Sequence, residues 1–442
     1  MTSTTRRPAR LALAAGAVLS LLAVTAGCST AGSGAAGVNG GELQNADADK
    51  EIQEGDRVVT YLSQSPDADR EAIRLFEEAN PGYKVTMYTA PGTSYQQVVT
   101  TQLAGGTAPD VLRTFPGNGS NLAVVQASEK GFLADLSDLS FTSRLSESLR
   151  SVMVDGEGRV VGVPMNSSGI GGMYNATALE EAGLSIPTTW SEVLQFCADA
   201  SDAGKVAYGL GLKDAWTGQM VPYALAATLV QDDPELDAKM AAGETSFADS
   251  EWRDVFAKYL EMGEAGCFND NPNGTAFSTV QDELRAGDTL ATVGLSLTIG
   301  ATLTGAPTGT EIEFAPLPAT DDPAETRLST GVGVTLSMNA KAADPEAAKK
   351  FLEFMATPQV QSVYATASKA SPGLEVDDSY SGTQADEVVL AATEQGMVAQ
   401  WPDQTWPNPR VQQAHFEGVQ ALFAGTQTVD GLVAELDAAY TS

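Results

Sequence analysis

The stretch that decides the fold runs from Arg57 to Phe115 and reads RVVTYLSQSPDADREAIRLFEEANPGYKVTMYTAPGTSYQQVVTTQLAGGTAPDVLRTF. Its opening run, Arg57 to Leu62, is β-branched and aromatic, the composition of a strand. Ser63 to Asp69 reads as a polar turn, and in REAIRLFEEAN the residues Ile73, Leu75 and Phe76 share one helical face. Asn80-Pro81-Gly82 ends that helix, because proline brings no amide hydrogen to continue it. Tyr83 to Tyr88 alternates as a second strand, a helix follows from Tyr95 to Leu103, and APDVLRTF supplies a third strand. Strand, helix, strand, helix, strand implies an α/β fold with a parallel sheet and helices on its faces. Ligands of such sheets gather at the carboxyl ends of the strands, which singles out Ser63, Gln64 and Ser65 after the first strand and Thr114 to Asn118 after the third.

Downstream, RVVGVP at 159–164 leads into MNSSGIGGMYNATALEEAGL, a glycine-rich extended run that turns helical near Thr177 to Ala182. Trp190 to Ala203 and Trp252 to Gly263 read as further helices and Ala291 to Leu297 as a strand. STGVGVTLSM at 329–338 is a glycine-containing strand, PEAAKKFLEFMA a helix, and two helical patterns separated by Gly425 close the chain.

Upstream, Arg6, Arg7 and Arg10 precede an apolar run from Leu11 to Val24, the order of a secretory signal. That run is too short for a bilayer core, which needs about 20 residues. Ala26-Gly27-Cys28 supplies the small residues and cysteine of a lipoprotein cleavage site, although Thr25 stands where a Leu or Val is usual. The expectation is a signal peptide over 1–27, diacylation of Cys28, and a protein held at the outer face of the bacterial cytoplasmic membrane by lipid alone. Residues 28–55 contain no aromatic side chain and read as a flexible tether. With Cys28 lipidated, Cys197 and Cys267 remain, and an oxidising exterior predicts a disulfide between them.

The 442 residues are 43% hydrophobic, enough for two sizeable lobes, and carry 57 acidic against 25 basic side chains. Loss of residues 1–27 takes the formal charge from −32 to −35. A chain so acidic lacks the basic face that a nucleic-acid backbone requires. His415 is the only histidine and lies in a helical stretch, VQQAHFEGVQALF, so acid–base or nucleophilic catalysis has little to stand on. Phosphate-loop and metal-ligand motifs are absent, and no cofactor or metal is expected.

From about Arg57 to Ser442 the chain resembles the extracellular solute-binding proteins of bacterial ABC importers, the group that includes maltose-type and other carbohydrate-binding members. The resemblance rests on FEEANPG at 76–82, LAGGTAPDV at 103–111, VGVP at 161–164, MYNATALEEAGL at 173–184 with TTW at 188–190, NAKAADPEAAKKFLEF at 339–354 and GTQTVD at 425–430. It implies the two-lobed periplasmic-binding-protein fold, each lobe a mixed, mainly parallel sheet flanked by helices, with ligand caught between the lobes. Crossings between lobes are expected near Gly162 to Ser168, Leu328 to Val332 and Ser371 to Leu374. Lobe I then comprises 56–163 and 330–371, and lobe II 164–329 and 372–442. The implied role is a monomeric, non-enzymatic receptor that delivers a sugar or oligosaccharide to an ABC transporter permease.

A sugar offers C–H faces and outward hydroxyls, so its site needs aromatic planes and polar side chains. By the resemblance, Trp216 falls at a stacking position beside Asp214 as a hydroxyl acceptor, and Trp401 and Trp406 precede the penultimate helix where relatives offer another ring. Asn166 and Ser168 lie at a hinge crossing. Ser296 stands where maltose-type proteins carry a tryptophan, which argues against a long stacked oligosaccharide. A glycerophosphodiester or another polar solute is the alternative ligand, with Arg113 and Arg410 placed to meet a phosphate. An exported carbohydrate-active enzyme or wall-binding lipoprotein is the remaining reading.

Overall fold

The computed structural model describes residues 43–64, 66–90, 95–230 and 235–442. Cys28, the leader before it and Ser65 lie outside these residues. Among them the strands are β1 (Gln44–Asn45), β2 (Arg57–Ser63), β3 (Tyr83–Thr89), β4 (Val111–Thr114), β5 (Val163–Asn175), β6 (Val206–Tyr208), β7 (Thr289–Leu295), β8 (Ile312–Ala315), β9 (Leu328–Met338), β10 (Ser371–Pro372) and β11 (Val398–Gln400).

β2 runs parallel to β3 along its whole length, from Arg57 opposite Tyr83 to Ser63 opposite Thr89, and parallel to β4 at Tyr61 and Leu62. β4 then meets β9 antiparallel, β9 meets β5 and β5 meets β7 in the same sense, and β6 rejoins β7 in parallel. The resulting order is β1-β3-β2-β4-β9-β5-β7-β6. Parallel pairing thus fills the strand–helix units at either end, and antiparallel pairing is concentrated on the two long strands, β5 and β9.

Those long strands pass between two hydrophobic cores. Val59, Phe76, Val85, Leu336 and Phe351 belong to the first, and Tyr174, Phe196, Tyr208, Phe256 and Trp406 to the second. Along β5, Val163 and Met165 pack in the first core and Ile170 and Tyr174 in the second, which divides the molecule into two lobes that share strands. Segments from all three expected crossings meet here: Ser167 is paired with Val332 of β9 and with Ser371 of β10.

Local chemistry explains where the helices stop and start. Thr189 caps the helix Trp190–Asp202 by accepting the Glu192 amide at 3.2 Å, and Asp344 does the same for Pro345–Met355, which begins on a proline. Two expectations need correction. The turn read over Ser63 to Asp69 is cut short, because the helix Pro66–Ala79 already begins at Pro66 and places Asp67 and Asp69 in its first turn, where a carboxylate complements the free amides.

The tether expectation fails from Leu43 onward. β1 extends the sheet beyond β3, with Gln44 opposite Thr89 and Asn45 opposite Tyr88. The Asp47 carboxylate accepts the Met87 amide at 3.0 Å, and Lys50 donates to Val85 O at 2.7 Å and pairs with Glu77 at 2.6 Å. An open sheet edge offers unpaired backbone groups, and this polar segment satisfies them without needing a core of its own.

Cys197 and Cys267 are joined by a disulfide, as expected. It ties the helix Trp190–Asp202 to the turn after Trp252–Glu264. Closing a loop of 70 residues stabilises by about 4 kcal/mol in the chain-entropy account. Among the described residues no helix is long and apolar enough to cross a membrane.

Candidate functional site

The ends of β2 and β4 carry a paired polar network. Ser63 is buried and donates its hydroxyl to the Asp69 carboxylate. Burial pushes Asp69 up to about 6, against the pull of hydrogen bonds from Ser63 and Tyr61 and the charge of Arg113. The Gln64 side-chain oxygen accepts from the Arg113 guanidinium, which also donates to Gly333 O at 2.9 Å and lies 5.1 Å above the Phe115 ring. Thr114 shares a hydrogen bond of 2.8 Å with Ser337, whose own hydroxyl reaches Val161 O at 2.6 Å. Its hydroxyl is therefore spent inside the sheet.

At the strands shared by the lobes, Ser168 and Ser296 are also occupied with each other. Their hydroxyls are 3.0 Å apart, Ser296 accepts the Gly169 amide at 3.1 Å, and Ser168 accepts the Leu297 amide at 3.2 Å. They fasten β5 to the turn after β7. Asn166 is different: it is 2% exposed, and its Oδ1 has no hydrogen-bond partner among the described residues.

The segment from Trp401 to Trp406 divides sharply. Trp401 donates its amide to Thr330 O at 3.0 Å, and its ring lies so close to Gly331 that a Cβ there would sit 2.5 Å from Cδ2. Glycine at 331 is what admits the ring. Gln404 donates to Val332 O at 3.1 Å. Trp406 is 3% exposed, within about 6 Å of the rings of Tyr223, Phe247, Trp252 and His415. This placement corrects its expected role: Trp406 is a packing residue of the second core, because aromatic rings enclose it on several sides. His415 stacks on Tyr223 in the same core, and burial lowers it to about 3.

Trp216 is half-buried and meets Phe277 edge-to-face at 4.9 Å. Asp214 accepts the Phe277 amide at 2.8 Å and so completes the amino end of the helix Phe277–Ala286. One oxygen of the expected hydroxyl acceptor is thereby committed. Asn118 reaches across to Pro407 O while accepting from Gln126 at 2.9 Å.

Ser329 to Gly333 of β9 gathers the rest. Gln400 pairs opposite Thr330, Trp401 lies on Gly331, Gln404 bonds Val332, and Asn166 Oδ1 faces Gly333. Along this stretch Ser329 Oγ, Gln400 Nε2, Trp401 Nε1, Gln404 Oε1, Asn166 Oδ1 and Arg113 Nε are all buried without a partner among the described residues. Each such atom costs about 1–3 kcal/mol unless something hydrogen-bonds to it. Opening this stretch would bare amide, indole and guanidinium groups beside an aromatic ring, a set of donors and acceptors that hydroxyl groups can answer.

A family profile described as bacterial extracellular solute-binding protein matches residues 62–362. The chain belongs to the bacterial extracellular solute-binding proteins. It is 24% identical over 162 residues to the multiple sugar-binding protein of Streptococcus mutans, spanning 36% of this chain but only 37% of that relative. To the melibiose/raffinose/stachyose-binding protein MelE of Bacillus subtilis it is 23% identical over 324 residues, 72% of this chain and 74% of that one. The solved structure of the solute-binding protein RafE in complex with raffinose superposes with a TM-score of 0.70 at 22% identity, covering 87% of this chain and 98% of the other.

For a solute-binding protein of this fold, Gln400, Gln404 and Ser329 are site candidates that sequence reasoning missed. The signal available was the alternation in STGVG at 329–333, where glycines at every second position open one face of a strand. It also missed Asp69 and Asp403. Burial pushes Asp403 up to about 7 although part of its surface remains accessible, and it accepts from Gln412 at 2.7 Å beside Tyr223.

Proposed function

We propose that this solute-binding protein captures a saccharide between its lobes, is held at the membrane by diacylated Cys28, and hands its ligand to an ABC transporter permease without chemical change. The observation that carries the reading is the row of partnerless buried polar atoms along Ser329 to Gly333, next to the ring of Trp401. Sugar hydroxyls donate and accept at once, so one ring can answer amide, indole and guanidinium groups together. MelE, named for melibiose, raffinose and stachyose, and the raffinose complex of RafE support a short oligosaccharide. Lobe I as 56–163 with 330–371 and lobe II as 164–329 with 372–442 would close about β5, β9 and β10, and ligand bound to both lobes raises the closed population.

The test is calorimetric titration and thermal shift with melibiose, raffinose, stachyose and malto-, xylo- and chito-oligosaccharides. At a hundredfold excess over Kd a ligand stabilises by about 2.7 kcal/mol, which a thermal shift resolves. Silence across the saccharides together with a shift from glycerophosphodiesters would transfer the assignment to the second reading, which Arg113 favours. Arg410, exposed at the start of the helix Pro409–Phe423, adds nothing to that stretch. Release of product from any saccharide would overturn the receptor role. Mass spectrometry of the amino-terminal peptide tests the lipid on Cys28.

A further inference from the structure

Two loops rooted in different cores touch backbone to backbone. The first, Pro116 to Ser120, follows β4 and is held to its own lobe, with the Gly117 amide donating to Val152 O at 2.8 Å and the Val125 amide to Gly117 O at 3.2 Å. The second, Pro402 to Pro407, is held to the other core by Trp406 and by the Asp403–Gln412 hydrogen bond of 2.7 Å.

Between them there is room for glycine only. A Cβ on Gly117 would overlap Gln404 O and lie 2.7 Å from its carbonyl carbon, and one on Gly119 would overlap Asp403 O and lie 2.8 Å from its carbonyl carbon. Asn118, between the two glycines, donates to Pro407 O. Gly117 also sits at φ +67°, whereas Gly119 has an ordinary backbone, so at 119 glycine is required by the neighbour alone.

We propose that the Gly117–Gly119 loop and the Asp403–Gln404 turn form a latch that holds the two lobes closed, with Gly119 as a positioning residue. The turn also carries Gln404 and follows Trp401, so the same contact seats the side chains along β9. Only the consequence for a bound saccharide rests on the proposed function; the latch itself does not. Opening the lobes separates these backbones, and any side chain that keeps them apart shifts the molecule toward the open form.

The experiment uses the full chain with Cys28→Ser and nitroxide labels at exposed Lys130 and Glu417, one on each lobe, with inter-label distances measured without ligand. The wild-type protein is expected to show a dominant short distance. Gly119→Ala lowers that population about tenfold, within the range of an overpacked contact. Asn118→Ala, which leaves the backbone fit intact, moves it in the same direction by a smaller factor. Raffinose or stachyose then leaves Gly119→Ala about tenfold faster than wild type, with the association rate within about twofold. Should Gly119→Ala fail to fold, the Asn118→Ala shift decides the matter alone. Equal distance distributions in wild type and both folded variants would overturn the latch, as would a wild-type distribution already as long as that of Gly119→Ala. If no saccharide binds any variant while the distances still separate, the latch stands and the saccharide assignment falls.

Discussion

Trp401 and Trp406 stand in one short segment, yet one lies along the strand that both lobes share and the other inside the second core. Around Trp406 the neighbours are rings, and the residue is enclosed by apolar contacts. Trp401 touches the edge of the same core but is only partly buried, and its ring lies on a glycine strand beside side chains whose polar atoms lack partners. The residue type is the same in both places, so what surrounds its edges decides whether a tryptophan is a candidate for binding.

The largest effect expected is on the core side. Trp406→Ala should cost about 3–5 kcal/mol of stability in urea unfolding. A loss below about 1 kcal/mol would break the comparison by placing Trp406 outside the packed core. Removing the Cys197–Cys267 bridge by a double serine substitution should cost a similar amount, about 4 kcal/mol. Thiol titration of the denatured, unreduced Cys28→Ser protein should find no free thiol, and two would refute the bridge.

On the shared-strand side, Trp401→Ala should weaken saccharide binding about 30-fold or more, the loss of a central anchor. Its stability cost should stay below that of Trp406→Ala. Unchanged affinity would collapse the distinction between the two rings. Thr114→Val offers the contrast within the polar residues: its bond to Ser337 is internal, so about 1 kcal/mol of stability should be lost while affinity stays within about twofold.

The smallest effect is a pH dependence. Burial raises Asp403 to about 7, so between about pH 4 and pH 7 the folded protein holds a proton that the unfolded chain has released, and stability falls as pH rises through that window. Asp69, raised to about 6, acts in the same sense, whereas His415, lowered to about 3, makes stability fall as pH drops below about 6.5. Tyr223 and Gln412 face the Asp403 carboxyl, and neither adds a charge at these pH values. In Asp403→Asn the drop in melting temperature between pH 5 and pH 8 should shrink, and an unchanged drop would show that another group sets it.

Much of the fold was legible because its elements are locally coded. The alternation of Tyr83 to Tyr88, the helix starting at Trp190 and the glycine-containing strand at 329–338 appear where their spacing predicts. The site was legible only in part. Ser63, Thr114, Ser168 and Ser296 read in the sequence as candidate ligand contacts, but Ser63 bonds Asp69 close by, and pairing across long sequence separations consumes the hydroxyls of the other three. That pairing depends on register between β4, β5 and β9, which no local pattern encodes. Gln400 and Gln404 went unnoticed for the converse reason: glutamines in a Pro-rich segment resemble a solvated loop until β9 is laid beside them.

The docked segment ahead of β2 also has a mechanical meaning. A load arriving through Leu43 meets a ladder of two residue pairs at the rim of the sheet, and an antiparallel ladder pulled from its end parts one pair at a time. Asp47 and Lys50 add bonds to Met87, Val85 and Glu77, so residues 43–55 leave β3 only when these break as well. Their release adds about 45 Å of extended chain while β2 and everything after it stay folded. That length is stored at the edge beside β3, outside the strands that both lobes share.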